Sequence, residues 1–208
     1  GPPGTGKTSL AHHLAQISNR DLIPLDVSQL LSKWVGETEQ NMKRLFEYYD
    51  SLTFEKPNFP ILLIDEGDAL LHKRLKATQS SVDLMNNHMT SAILKALDTF
   101  SGILIITTNS FESFDPAFLR RFLFQIELPM PQVNTRKELI RNYFPELNDD
   151  ERLISEMVEH PLSGSDLENL KILHEVYANF GQPTLDKSLF FHNYVKSKPQ
   201  HKKLGFKH

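Results

Sequence analysis

The sequence predicts an α/β fold, a parallel sheet flanked by helices, followed by a small all-helical domain. Two continuous apolar runs, residues 60–64 and 102–108, have the composition of parallel strands buried on both faces. Segments with helical periodicity separate these runs, and beyond Pro131 the sequence shows helical patterns only. We therefore expect a large α/β domain over residues 1–131 and a helical domain over residues 132–196.

The other elements of the first domain follow from local patterns. A helix is predicted over residues 9–15, where Leu10 and Leu14 lie on one face. Residues 22–27 have the pattern of a short strand, and Pro24 favours an edge position because proline cannot donate to a ladder. Three further elements complete the domain: helices over 37–52 and 83–98, and a third strand over 124–128.

The second domain is predicted to contain four helices, over residues 135–144, 149–160, 164–180 and 186–196. Gly181 and Pro183 separate the last two. The basic segment 197–208 is expected to form a flexible tail.

Composition excludes several classes of protein. Among 208 residues, 39% are hydrophobic and 24% charged, as in ordinary globular proteins. A net charge of −3 argues against a dedicated nucleic-acid binder. The absence of cysteine rules out disulfides and thiolate metal sites. No apolar run approaches the roughly 18 residues that span a bilayer, so we expect a cytoplasmic location.

The first eight residues have the spacing of a phosphate-binding loop: Gly, four residues, then Gly-Lys-Thr. Such glycines let backbone N–H groups turn toward phosphates, Lys7 would reach the β and γ oxygens, and the Thr8 hydroxyl would bind Mg²⁺. The alternative is a glycine-rich turn that only opens a helix. A phosphate loop normally follows a buried strand, so we expect a longer protein upstream. The predicted ATP-binding residues here are Gly1, Pro2, Pro3, Gly4, Thr5, Gly6, Lys7, Thr8 and Ser9.

Polar residues follow both apolar runs. Asp65 and Glu66 end the first run, where open parallel sheets bind ligands. Asp65 would hold Mg²⁺ and Glu66 would polarise the attacking water. Asn109 ends the second run and would lie between that water and the γ-phosphate. The alternatives are a solvated acidic turn for the carboxylates and a turn former for Asn109.

Together these residues resemble the AAA+ ATPases, and more closely the AAA clade of hexameric remodelling motors such as katanin, spastin and the bacterial membrane-protease motors. The resemblance extends from Gly1 to about residue 196 and implies ATP hydrolysis with Mg²⁺. In that family Lys7 and Thr8 belong to the Walker A motif, Asp65 and the catalytic Glu66 to Walker B, and Asn109 is sensor 1. The helices after Pro131 correspond to the family's lid domain.

The resemblance also implies a homo-oligomer, in the form of a hexameric ring. Arg120 and Arg121 match the stretch that supplies arginine fingers to the γ-phosphate of the neighbouring subunit. The Pro-Gly found between these arginines in many members is missing, so which of the two acts as the finger stays open. Trp34 and Val35 resemble the pore loop that grips a polypeptide substrate, and the alternative for Trp34 is a core anchor.

The lid domain contributes further candidates. Gly164 and Ser165 fall where the family starts a lid helix close to the nucleotide. Leu139 and Tyr143, one turn apart, are candidates for the adenine wall, with packing in the lid core as the favoured alternative.

One residue of the first domain departs from the family pattern: Gly67 stands where a β-branched apolar residue usually follows Walker B.

Three functions are compatible with this pattern. The leading hypothesis is a motor that remodels, unfolds or disassembles a protein by pulling its chain through a ring pore. The second is a loader or switch that acts on a nucleic-acid-associated complex, against which the acidic balance and the pore aromatic speak. The third is a nucleotide-gated scaffold, which the presence of Glu66 disfavours.

Overall fold

The structure, a computed structural model, describes residues 1–25, 40–41, 43–49, 51, 58–69, 81–179 and 187–197. The chain divides into two units, Gly1–Leu128 and Pro129–His208. The first unit contains a parallel sheet with helices and the second contains helices. The predicted fold class is thereby confirmed. The domain boundary predicted from sequence lies slightly after this division.

The sheet has three parallel strands in the order β1-β2-β3. They are β1 (Leu22–Pro24), β2 (Ile61–Ile64) and β3 (Ile103–Ile106). All four residues of β2 are buried, as expected of a central parallel strand. In the described sheet β1 lies at an edge, the position that Pro24 favours.

Two strand predictions need correction. β3 was expected to be buried on both faces, but its four residues are only partly covered and Ile103 is 37% exposed. Residues 124–128 were expected to form a strand, but they are irregular, with Phe124 82% and Ile126 69% exposed. An apolar run becomes a strand only when a neighbour completes its hydrogen-bond ladder. Among the described residues, none pairs with 124–128 in a ladder.

The helices of the first unit pack around this sheet. They are α1 (Lys7–Ile17), α2 (helical over 43–49), α3 (Ser81–Thr99) and the short α4 (Pro116–Leu119). The buried side chains of its core cluster are Phe46, Tyr49, Leu62, Ile64, Ile93, Leu94, Phe114 and Phe118. This core fixes where β2 and β3 end, and those ends carry the predicted site.

Tyr49 joins the beginnings of two strands. It is 1% exposed, and its ring lies 5.0 Å from that of Phe100. Its hydroxyl donates to the carbonyl oxygen of Pro60 at 2.7 Å and accepts from the N–H of Ile103 at 3.2 Å. A single buried hydroxyl therefore ties the residue before β2 to the first residue of β3.

Replacing Tyr49 by phenylalanine is expected to lower the free energy of unfolding by about 1–3 kcal/mol, because two backbone groups lose their partner. Urea denaturation measures this loss. Tyr48→Phe is the matched control: Tyr48 is 62% exposed, and a surface change of this kind alters stability by less than about 0.5 kcal/mol. Equal stabilities of the two variants would contradict the bridging role of Tyr49.

The second unit contains four described helices: α5 (Val133–Tyr143), α6 (Glu151–Glu159), α7 (Gly164–Asn179) and α8 (Lys187–Ser197). They lie within a few residues of the segments predicted from periodicity. Asp150 caps α6 by accepting from the N–H of Leu153 at 3.0 Å. Within the described part of the chain, no helix is long and apolar enough to cross a membrane.

Candidate active site

The predicted phosphate-binding loop ends at the beginning of α1. Gly4 and Gly6 have φ angles of 75° and 88°, a left-handed conformation that glycine adopts without strain. Gly6 is the N-cap residue, and the helix has neither a side-chain cap nor an acidic residue in its first turn. The free N–H groups of this helix end, together with its dipole, favour an anion such as a phosphate.

Lys7 and Thr5 define the interior of the loop. The ammonium of Lys7 donates to the carbonyl oxygens of Gly1 at 3.0 Å and Pro2 at 2.7 Å. The hydroxyl of Thr5 donates to the same carbonyl of Pro2 at 2.9 Å. Hydrogen bonds between an ammonium and a phosphate are stronger than those to a neutral carbonyl. A nucleotide in the loop would therefore compete well for Lys7.

Thr8 and Asp65 come together although they are 57 positions apart in sequence. The hydroxyl of Thr8 donates to Oδ1 of Asp65 at 2.9 Å and lies 3.0 Å from Oδ2. Thr8 belongs to the first turn of α1, and Asp65 follows β2 directly. Hydroxyl and carboxylate oxygens are ligands that Mg²⁺ prefers, and it usually takes one or two carboxylates plus phosphate oxygens. The residues therefore fit the metal that the sequence predicts.

Glu66 is exposed beside this pair in an unusual backbone conformation. Its φ angle is 52°, in the left-handed region that residues other than glycine rarely adopt. Its N–H donates to the hydroxyl of Thr107 at 3.1 Å, and the next N–H, of Gly67, donates to the carbonyl of Thr107 at 2.8 Å. Such strain costs about 1–3 kcal/mol and persists where its surroundings hold it, often at active sites.

The residues after β3 bond to the turn after β2, a connection that sequence reasoning missed. Thr107 donates to Asp65 and Thr108 donates to Asp68. The backbone N–H of Asn109 lies 3.3 Å from Oδ2 of Asp68. The available signal was the run of two threonines before Asn109, together with Asp65 and Asp68, which follow the other apolar run.

Asn109 itself is exposed at this edge of the sheet. Within the described part of the chain its side-chain amide makes no hydrogen bond, whereas its backbone is fixed through Asp68. The predicted sensor residue therefore presents a polar group at the same strand ends as Asp65 and Glu66.

The structure distinguishes the two predicted finger arginines. Arg121 makes a bidentate pair with Asp98, with Nε to Oδ1 at 2.7 Å and Nη2 to Oδ2 at 2.9 Å. Its Nη1 also donates to the carbonyl oxygen of Ala117 at 2.6 Å. The hydrogen bond from Arg121 lowers the pKa of Asp98, and that from Asp98 raises the pKa of Arg121. The guanidinium of Arg121 is therefore already paired within its own chain.

Arg120 is exposed, and within the described residues its guanidinium has no hydrogen bond or ion pair. The short helix before it is firmly anchored. Asp115 caps α4 by accepting from the N–H of Ala117 at 2.8 Å, and Phe118 is completely buried. A rigid support therefore presents Arg120 to the solvent.

The lid candidates are accounted for within their own unit. Gly164 and Ser165 begin α7, where Ser163 and Asp166 cap the helix through bonds of 2.8 and 3.2 Å. Leu139 and Tyr143 pack, partly buried, against the second hydrophobic core, as the alternative interpretation has it. Their contact with adenine stays a prediction. Trp34 and Val35 lie outside the described residues.

Comparison with known proteins places this geometry in context. The model of the ATPase family associated with various cellular activities (AAA) matches residues 1–130. Cell division protein C of Sulfolobus acidocaldarius is 30% identical over 161 residues, 76% of this chain and 43% of its own length. Fidgetin-like protein 1 of Drosophila melanogaster is 32% identical over 176 residues, 82% of this chain and 33% of its own.

A third relative is similar in sequence, and a solved structure is similar in fold. Proteasome-activating nucleotidase of Saccharolobus solfataricus is 34% identical over 182 residues, 82% of this chain. The chain spans between 33% and 44% of the length of these three relatives. A chain in the HORMA–CdnC–Trip13 complex of E. coli MS115-1 superposes with a TM-score of 0.78 and 22% identity, covering 95% of this chain and 72% of that one. This likeness concerns the fold.

Proposed function

This chain belongs to the AAA family of ATPases, and from that premise we propose that it is the Mg²⁺-dependent motor domain of a ring that remodels a protein substrate. The observation that carries the proposal is the meeting of Thr8 with Asp65 at 2.9 Å beside the exposed Glu66. One edge of the sheet thus brings together three groups. They are the N-terminus of α1, which would bind phosphate, the Thr8–Asp65 pair, which would hold Mg²⁺, and the carboxylate of Glu66, which would polarise the attacking water. Phosphoryl transfer requires positioning and charge stabilisation of this kind.

Each site residue has a role in the proposed hydrolysis. The N–H groups at the start of α1 and the ammonium of Lys7 hold the phosphates. Thr8 and Asp65 would hold Mg²⁺, and the bound ion would supply positive charge to neutralise the phosphates. Glu66 polarises the attacking water, and the amide of Asn109 orients that water toward the γ-phosphate.

A second copy of the chain completes the site. Arg120 is exposed on a rigid support and unpaired among the described residues, whereas Arg121 is bound to Asp98. A guanidinium in this state is available to a γ-phosphate held by a neighbouring subunit. We propose a homo-oligomeric, hexameric ring in which Arg120 is the main finger, while Arg121 stays bound to Asp98.

Polypeptide is the proposed substrate. The proteasome-activating nucleotidase is named for an action on a protein assembly, and Trp34-Val35-Gly36 has the sequence of an aromatic pore loop. An aromatic ring two positions before a glycine, as Trp34 is before Gly36, can contact many different side chains, which suits a sequence-tolerant grip. A cytoplasmic location is part of the proposal.

Trp34→Ala in the full-length protein tests the pulling mechanism. Reduced, carboxymethylated α-lactalbumin serves as a permanently unfolded probe, and the readout is the ratio of ATPase rates with and without it. We expect the probe to raise the rate of the unchanged protein and this stimulation to disappear in Trp34→Ala, because the aromatic grip is lost. Trp34→Phe is the matched control and should retain it. Full stimulation of Trp34→Ala would refute the pore mechanism.

A further inference from the structure

Thr107, the first residue after β3, carries a hydroxyl that both donates and accepts a hydrogen bond. The residue is 6% exposed, and buried hydroxyls are normally hydrogen-bonded. The hydroxyl accepts from the N–H of Glu66 at 3.1 Å and donates to Oδ1 of Asp65. It therefore contacts both acidic residues of the proposed site.

The chemistry of the three groups determines the direction of both bonds. A backbone N–H can only donate, so the hydroxyl oxygen accepts from Glu66. The single hydroxyl hydrogen is then left for Asp65, and a carboxylate is a strong acceptor. The hydroxyl of Thr107 thus orients the side chain of Asp65 and the backbone of Glu66.

The backbone of Thr107 reinforces this arrangement. Its N–H donates to the carbonyl of Ile64 at 3.0 Å, and its own carbonyl accepts from Gly67 at 2.8 Å. Thr107 therefore holds the turn from both sides of Glu66, whose φ of 52° is strained for a residue with a side chain. A conformation of this kind persists only where neighbouring groups enforce it.

We propose that Thr107 is a positioning residue that tunes the Mg²⁺ affinity of the Thr8–Asp65 pair and aims Glu66 at the attacking water. The inference rests on the proposed function and deepens it. Oδ1 of Asp65 accepts from Thr8 and from Thr107, so Thr107 fixes the orientation in which Asp65 meets a metal. Mutating the hydrogen-bond partner of a metal-binding carboxylate typically lowers metal affinity or activity about 10–100-fold.

Thr107→Val keeps the shape of the side chain and removes the hydroxyl. Binding of fluorescently labelled ADP is measured while Mg²⁺ is raised. The Mg²⁺ concentration at half-effect is expected to rise about 10–100-fold, whereas ADP affinity without Mg²⁺ stays close to that of the unchanged protein. The kcat for ATP should fall as well. Thr107→Ala removes the same hydroxyl with less steric demand and should show the same shift.

Two variants serve as controls for this shift. Thr107→Ser retains the hydroxyl, so its Mg²⁺ concentration at half-effect should stay close to that of the unchanged protein. Thr90→Val removes the hydroxyl of another buried threonine, 4% exposed on α3, and should leave that dependence unchanged even if it alters the Tm.

The ADP measurement separates this inference from the proposed function. An unchanged Mg²⁺ requirement in Thr107→Val and Thr107→Ala, with or without a lower Tm, would show a purely structural role and overturn the inference. Binding of Mg²⁺ and ADP requires no turnover. A protein that failed to hydrolyse ATP would therefore contradict the proposed function, while its Mg²⁺ titration would still decide the role of Thr107.

Discussion

Glu66→Gln is expected to bind ATP and to hydrolyse it about 10²–10⁴-fold more slowly, the usual contribution of a positioned general base. Glutamine has nearly the same size, but its amide cannot take a proton from water. Glu66 is exposed at the carboxyl end of β2, adjacent to the Thr8–Asp65 pair. The loss should therefore appear in kcat, with little change in nucleotide affinity.

Single-turnover hydrolysis and binding of labelled ATP separate the two effects. Glu112→Gln is the matched control, because Glu112 is also an exposed glutamate of the first unit and has no role in the site. Since the backbone of Glu66 is held through its N–H and not through its carboxylate, the variant should fold normally. Unchanged turnover in Glu66→Gln would refute its assignment as the catalytic base.

The fold was predictable where the pattern is local. Residues 60–64 form a continuous apolar run, and the structure places β2 within it at the centre of the sheet. Residues 124–128 alternate between apolar and polar side chains, a pattern that also predicts a strand. They form none, because a strand needs a neighbouring strand to complete its hydrogen-bond ladder. Periodicity describes one segment at a time, so it cannot report whether that neighbour is in place.

The candidate site could be proposed from sequence where its residues adjoin. The loop of residues 1–8 and the pair Asp65 and Glu66 are each contiguous, and their spacing indicates their chemistry. The contacts of Thr107 were missed because they depend on the register between β2 and β3, in which Ile64 pairs with Ile106. That register brings the residues after both strands together, and no pattern within either segment encodes it.

Arg120 and Arg121 also show that contacts between residues far apart in sequence cannot be predicted from a local pattern. Arg120 and Arg121 are adjacent and chemically identical, so their sequence positions alone left the finger unassigned. The partner that distinguishes them, Asp98, lies 23 positions away from Arg121 near the end of α3. Only the folded chain shows that one guanidinium is bound by a carboxylate and a carbonyl while the other faces solvent.

Arg120→Ala is accordingly expected to lower ATP turnover about 10³–10⁵-fold, the effect of removing an arginine finger. Nucleotide binding should persist, because the finger acts on a site in the neighbouring subunit. Asp98→Asn is the contrasting variant: it weakens the bidentate pair that holds Arg121 and leaves Arg120 unchanged. Its turnover should fall far less than that of Arg120→Ala.

Mixed rings test whether the finger acts between subunits. Full-length Arg120→Ala and Glu66→Gln proteins are coexpressed with different tags and purified through both. In such rings, an Arg120→Ala subunit keeps its own Glu66 and receives an intact Arg120 from a Glu66→Gln neighbour. Turnover should therefore rise well above that of either variant alone, because each defect is complemented at that interface. Without a finger in trans, both variants would be defective at their own sites. Mixed rings no more active than the single variants, together with turnover strictly proportional to protein concentration on dilution, would place the action of Arg120 within its own chain.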